Sequence, residues 1–87
     1  MDDNILILKA FVEISSYREK VVRTLENEPK IPTKIAKDIG ILPNHISKVL
    51  SDLKKNELIE CINPEMRKGR LYKLTPKGNE VLMEMKR

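Results

Sequence analysis

The chain has 87 residues, of which 34% are charged and 40% hydrophobic, with a net charge of +4. This length allows one small domain with a single core, predicted over residues 1–87, and the composition excludes a disordered chain. The single cysteine (Cys61) excludes an intrachain disulfide, and the acidic start "MDDN" does not resemble a signal peptide. No apolar stretch approaches the roughly 18 residues of a membrane span. These features together predict a cytoplasmic protein.

The first predicted element is the apolar segment "ILILKAFVEI", residues 5–14. Its apolar residues are so dense that periodicity does not separate a buried helix from a strand, although a helix is favoured. Because the segment is apolar on several faces, residues 1–15 are predicted to form a dimer contact.

A clearer helix is predicted over residues 16–29. Ser16 and Glu19 have the spacing of a capping box, and Pro29 is expected to end the helix. Its apolar face is predicted to consist of Tyr17, Val21, Val22 and Leu25.

Two short helices follow, with a turn between them. Pro32 and Pro43 suit the first helical positions, and Gly40 suits the left-handed conformation that ends a helix. The second helix has a buried stripe at the spacing i, i+3, i+4, i+7, formed by Ile46, Val49, Leu50 and Leu53. A three- to four-residue turn between two helices predicts a helix-turn-helix.

The remaining elements are a hairpin and a last helix. Residues 58–62 and 71–75 have strand character and flank "NPEMRKGR", which contains turn-forming residues. Thr75 and Pro76 then begin a C-terminal helix within residues 75–87, with Val81, Leu82 and Met85 on its apolar face.

These motifs carry a resemblance to a known family. "IPTKIAKDIGILPNHISKVLSDL" resembles a DNA-binding helix-turn-helix, and "GRLYKLTPKG" is similar to the wing strand and L-T-x-x-G turn of winged-helix transcriptional regulators of prokaryotic, archaeal-like type. The resemblance implies a mainly α fold with a small β-hairpin wing: a winged helix-turn-helix with a core at residues 16–75, made of three helices plus the wing, and flanking helices.

The distribution of charge agrees with a DNA partner. Residues 30–77 carry eleven lysines and arginines against five acidic residues, a net charge of +6. With the buried stripe turned inward, the opposite face of the second helix is polar. Base-edge contacts are predicted for Asn44, His45, Ser47 and Lys48, and phosphate contacts for Ser51, Lys54 and Lys55. Further DNA contacts are predicted for Arg67, Lys68 and Arg70 at the wing, and for Thr33 and Lys34, with Lys30, where the first helix begins.

Other site chemistries find little support in the sequence. His45 and Cys61 lack the spacing of metal ligands, and Cys61 is interpreted as a small buried residue, with a redox-sensing thiol as the alternative. No nucleophile–base pair or phosphate loop can be assembled, so neither enzymatic activity nor a cofactor is predicted.

The predicted function is that of a homodimeric regulator that binds double-stranded DNA sequence-specifically. The alternative is a winged-helix module for protein–protein interaction in a transcription or assembly complex, with the basic face docking an acidic partner. RNA binding is disfavoured because single-stranded bases are usually held by aromatic stacking, and aromatic residues make up only 3% of the chain.

Overall fold

The computed structural model describes residues 3–87. Residues 1 and 2, where the predicted N-terminal segment and the acidic "MDDN" begin, lie outside the described residues. The described elements are helices α1 (Asp3–Glu13), α2 (Ser16–Thr24), α3 (Pro32–Ile39), α4 (Pro43–Lys55) and α5 (Pro76–Met85), and strands β1 (Ile59–Cys61) and β2 (Tyr72–Leu74). The mainly α fold with a small hairpin is therefore confirmed.

The ambiguous N-terminal segment is a helix. Ile5, Leu8 and Val12, spaced i, i+3, i+7, are buried where α1 packs against α5 and α2. Leu6 and Ile7 lie on the outer side and are 50% and 66% exposed. The density of apolar residues thus reflects two apolar faces, of which the described residues 3–87 cover only one.

Helix α2 departs from its predicted bounds at both ends. The N-cap is Ser15, whose side chain accepts a hydrogen bond from the backbone N–H of Arg18, so the predicted cap at Ser16 is wrong by one residue. The helix ends at Thr24, well before Pro29. Val21, Val22 and Leu25 are buried as predicted, whereas Tyr17 is 41% exposed.

The chain after α2 leaves the helix to join the sheet. Strands β1 and β2 pair antiparallel, with Ile59 opposite Leu74 and Cys61 opposite Tyr72. Lys30 forms a bridge on the other side of Tyr72, and the two residues exchange both backbone hydrogen bonds, at 3.0 and 2.9 Å. Because residue 30 must be extended there, α2 has to end several residues earlier.

One hydrophobic cluster joins all five helices and both strands of the described chain. Its largest fully buried side chains are all aliphatic: Ile35, Leu53, Leu58, Ile59, Val12, Val21, Val22 and Val81. Met85 completes the buried face of α5 with Val81 and Leu82, as predicted. The core therefore forms without a large aromatic residue at its centre.

The L-T-x-x-G turn has a physical explanation in the junction between β2 and α5. The Thr75 side chain caps α5 by accepting from the Gly78 N–H at 3.0 Å, and its hydroxyl donates to the Glu57 carbonyl at 2.6 Å. A Cβ on Gly78 would lie 2.1 Å from the carbonyl oxygen of Leu58. Only glycine lets α5 approach the segment between α4 and β1 this closely.

Candidate nucleic-acid interface

Helices α3 and α4 are joined by a turn whose two ends are set by a glycine and a proline. Gly40 has φ 74°, and its N–H bonds to the Lys37 carbonyl while the Ile41 N–H bonds to the Ala36 carbonyl. This pair of bonds is a Schellman motif, which satisfies the last carbonyls of α3. Pro43 then occupies the first turn of α4, so the predicted helix-turn-helix is confirmed.

Helix α4 turns one face into the core and the other outward. The predicted stripe of Ile46, Val49, Leu50 and Leu53 is buried. All seven side chains that were predicted to contact DNA from this helix are exposed: Asn44, His45, Ser47, Lys48, Ser51, Lys54 and Lys55. The helix therefore presents hydroxyl, amide, imidazole and ammonium groups to solvent, which are the groups that contact base edges and phosphates.

Lys48 is held by an acidic neighbour on the same helix. Its ammonium lies 2.9 Å from a carboxylate oxygen of Asp52, and the other Asp52 oxygen lies 3.6 Å from the Arg18 guanidinium. The hydrogen bond from Lys48, followed by the charges of Lys48 and Arg18, lowers the pKa of Asp52 below its usual range. Since the Lys48 side chain is 78% exposed, the ion pair is weak and leaves the Lys48 ammonium accessible to solvent.

The wing is ordered by side chains that bond to its own backbone. The Asn63 amide oxygen accepts from the Leu71 N–H at 2.7 Å, and its NH₂ donates to the Gly69 carbonyl at 3.1 Å. Arg70 donates to the carbonyls of Met66 and Pro64, at 2.6 and 3.3 Å. The sequence indicated Asn63 as part of a turn-forming Asn-Pro pair, but it did not indicate these two hydrogen bonds to the wing backbone.

The three cationic side chains of the wing differ in whether they form hydrogen bonds within the wing. Arg67 and Lys68 are exposed, and within residues 3–87 neither forms an ion pair or a side-chain hydrogen bond. Arg70 is also exposed, but its guanidinium supports the tip through the two carbonyls of Met66 and Pro64. Arg67 and Lys68 are thus the wing side chains best placed to reach outward.

The lysine side chains near the start of α3 are already paired with an acidic residue, which the sequence did not indicate. The Lys30 and Lys34 ammonium groups lie 2.7 and 3.0 Å from the two carboxylate oxygens of Asp38, and Lys30 also bonds to the Thr24 hydroxyl. Hydrogen bonds from the two lysines lower the pKa of Asp38 from 3.8 to about 2. Thr33 is exposed, whereas the Lys30 side chain is only 14% exposed and links α2 to α3.

The acidic residues near the base of the wing are paired with lysines. Glu57 lies 3.3 Å from Lys77, and Glu60 lies 3.6 Å from Lys73 across the sheet. These pairs reduce the repulsion that the acidic groups would exert on a nearby phosphate. Cys61 is half-buried, and its thiol contacts the Asn63 amide oxygen at 3.5 Å.

Residues 3–87 contain neither a metal-binding cluster nor a membrane-spanning helix. Among residues 3–87, no group of three His, Cys, Asp or Glu side chains is arranged to hold a metal ion. None of the helices described for this chain has the length and apolar character needed to cross a membrane.

The sequence and the geometry together define the family. A family model described as Winged helix-turn-helix matches residues 18–87, and the chain belongs to this family. Comparison with curated protein sequences gave no match.

Solved structures of transcriptional regulators share the fold. The transcriptional repressor CouR, solved bound to a 23-mer DNA duplex, is 27% identical with a TM-score of 0.76, over 97% of this chain and 61% of that chain. Lactococcus lactis ZitR, solved in complex with DNA, is 25% identical with a TM-score of 0.66, over 83% of this chain and 53% of that chain.

A third structure, the homodimeric winged helix-turn-helix DNA-binding domain of Mb0332 from Mycobacterium bovis, is 16% identical and therefore shows the fold alone. Its TM-score is 0.73, over 93% of this chain and 73% of that chain. The chain spans only 61% and 53% of the length of CouR and ZitR.

Proposed function

We propose that this protein is a transcriptional regulator that binds double-stranded DNA sequence-specifically as a homodimer, in the cytoplasm, and acts by binding and not by catalysis. The observation that carries the proposal is the outer face of α4, where seven polar or cationic side chains are exposed opposite the buried stripe. CouR and ZitR, which share the fold at 27% and 25% identity, were both solved with DNA.

The proposed roles within the interface follow the position of each side chain. Asn44, His45, Ser47 and Lys48 lie in the first half of α4, the end that enters the major groove in helix-turn-helix proteins. Phosphate contacts are proposed for Ser51, Lys54, Lys55, Thr33 and Lys34 on α4 and α3, and for Arg67, Lys68 and Arg70 at the wing. The pairs formed by Lys48 and Lys34 with Asp52 and Asp38 would open on binding.

Base readout is tested by replacing two residues in the first half of α4, one neutral and one cationic. Asn44→Ala is expected to relax the preference at one base pair by about 1–3 kcal/mol. Lys48→Ala should weaken binding to every sequence and reduce the salt slope, because a cation has been removed. Selection from a random duplex library, followed by affinity measurements on the selected site, separates the two effects. If both variants bind as the parent does, the assignment of α4 as the recognition helix is wrong.

The proposed dimer contact is the outer side of α1 with the adjoining α5. Leu6, Ile7 and Ile14 are 50%, 66% and 79% exposed on or just after α1, and Met83 is 66% exposed on α5, which packs against α1. Exposed apolar side chains on two neighbouring helices favour burial against another protein surface. We propose a second copy of this chain, as in the homodimeric Mb0332 domain that shares the fold. Residues 1–15 would then supply the contact, residues 16–75 the winged-helix core and residues 75–87 the C-terminal helix.

Light scattering tests this contact with a matched pair of variants. Leu6→Lys should shift the mass toward one chain, because a charge would have to be buried at the interface. Leu42→Lys is the control, since Leu42 is 64% exposed in the turn between α3 and α4, away from α1. A dimer that survives Leu6→Lys, and Ile7→Lys as well, would exclude α1 as the contact.

A further inference from the structure

A small cleft lies between the outer face of α4, the start of α3 and strand β2. Its volume is about 250 Å³, and it opens to solvent. The residues around it come from three elements that are distant in sequence: Pro32, Ser47, Leu50, Ser51, Lys54 and Tyr72. The fold thus brings Tyr72, which the sequence did not indicate as a DNA contact, beside three residues that it did.

The polar wall of the cleft is one stripe of α4. Ser47, Ser51 and Lys54 are spaced i, i+4, i+7 and therefore lie above one another on the helix. None of the three side chains makes a hydrogen bond or ion pair within residues 3–87. Two hydroxyls and an ammonium are donors that suit phosphate oxygens, and no acidic residue lines the cleft.

Tyr72 is fixed at the opposite wall by its backbone. It pairs with Cys61 on one side and exchanges two hydrogen bonds with Lys30 on the other, which makes it the central residue of three adjacent segments. Its ring packs partly against the core, and its hydroxyl forms no hydrogen bond within the described chain. A phenylalanine would supply the same packing, so the hydroxyl has no structural use within the described chain.

We propose that this cleft binds a deoxyribose-phosphate unit of the DNA backbone, with the Tyr72 hydroxyl donating to a phosphate oxygen alongside Ser47, Ser51 and Lys54. The apolar side chains of Pro32 and Leu50 complete the lining and suit the sugar. The cleft is formed by residues within the segment 30–77, whose net charge of +6 favours a polyanionic ligand. This inference rests on the proposed function and adds to it a wing-strand residue that fixes the register of the backbone against α4.

The test compares single-atom and single-charge changes in the full chain. Binding of a labelled random-sequence duplex is measured by fluorescence anisotropy at several salt concentrations for the parent, Tyr72→Phe and Lys54→Gln. Tyr72→Phe should reduce affinity roughly tenfold, as expected for loss of a hydrogen bond to a charged group. It should leave the salt slope unchanged because no charge is lost, whereas Lys54→Gln should make the slope shallower by about 0.9.

The control is Tyr17→Phe, which removes a hydroxyl from an exposed tyrosine on α2 and should bind as the parent does. Thermal unfolding of both tyrosine variants verifies that the fold is retained. If the parent binds duplex and Tyr72→Phe binds with equal affinity, this inference is overturned and the proposed function still stands. A parent that fails to bind any duplex at low salt would overturn both.

Discussion

The Arg18 guanidinium on α2 lies 3.6 Å from the Asp52 carboxylate on α4 and also donates to the Phe11 carbonyl at the end of α1, at 2.9 Å. The guanidinium carbon stands 4.0 Å from the centre of the Phe11 ring, in the geometry of a cation–π contact. Asp52 in turn holds Lys48, a proposed DNA contact. One arginine therefore connects the helix proposed for dimerisation with the helix proposed to read DNA.

Removal of the Asp52 charge should strengthen DNA binding. In Asp52→Asn, Lys48 loses its carboxylate partner and a negative group disappears from the helix proposed to contact DNA, so affinity for random duplex should rise roughly three- to tenfold at low salt. Anisotropy titrations of parent and variant measure this. Glu28→Gln, at an exposed position between α2 and α3, is the charge-matched control and should have a smaller effect. Weaker binding by Asp52→Asn would instead mean that Asp52 positions Lys48 productively.

Glu57 occupies a backbone conformation that glycine adopts more easily. It has φ 60° directly after the C-cap of α4, and the N–H groups of Glu57 and Leu58 bond to the Lys54 and Leu53 carbonyls in a second Schellman motif. Glu57→Gly is expected to stabilise the fold by about 1 kcal/mol, since the strain outweighs the exposed pair with Lys77. Urea unfolding measures the difference. Gly40→Ala, the reciprocal change in the Schellman motif after α3, should destabilise the fold by a similar amount. If Gly40→Ala stabilised the fold, the explanation by backbone strain at positive φ would be contradicted.

Gly78 should tolerate no side chain. Gly78→Ala would place a Cβ 2.1 Å from the Leu58 carbonyl oxygen, so α5 must move away from the segment between α4 and β1. We expect a loss of about 2–4 kcal/mol in the free energy of unfolding, the range of severe packing defects. Asn79→Ala, at the next and exposed position of α5, is the control and should change stability by less than about 0.5 kcal/mol. Equal stability of the two variants would show that the close approach is not required.

The Asp38 cluster predicts a specific loss of stability in acid. Because the pKa of Asp38 is lowered from 3.8 to about 2 in the folded state, folding favours the ionised carboxylate. Its contribution is present above pH 3.8 and is lost as the pH falls toward about 2. The melting temperatures of the parent and Asp38→Asn should therefore differ at neutral pH and converge near pH 2. A constant difference across this range would show that the effect of Asp38 is not due to its charge.

The helix-turn-helix could be predicted from the sequence because its ends are marked by local chemistry. Pro32 and Pro43 suit only the first turn of a helix, and Gly40 supplies the left-handed residue of the Schellman motif. The exposed residues of α4 could then be predicted as those opposite the buried stripe. These features depend on neighbouring residues along the chain, which a single sequence contains.

The differences arose where contacts that no sequence pattern indicates decide the structure. Helix α2 ends at Thr24 because Lys30 must extend to pair with Tyr72, and Ser15 rather than its neighbour Ser16 caps the helix. Arg70 bonds to wing carbonyls that no pattern of side chains indicates. The pairing of Lys48 with Asp52 follows the i, i+4 spacing and could have been expected, whereas the approach of Arg18 to Asp52 could not.

Salt-dependent anisotropy of a labelled random duplex, with the mass of the bound species measured by light scattering, tests the central claim most directly. We predict binding by a species of twice the chain mass, with an affinity that falls steeply as salt rises, because phosphate contacts release counterions. An absence of binding at low salt would contradict DNA recognition as the function and would favour an acidic protein partner for the basic face.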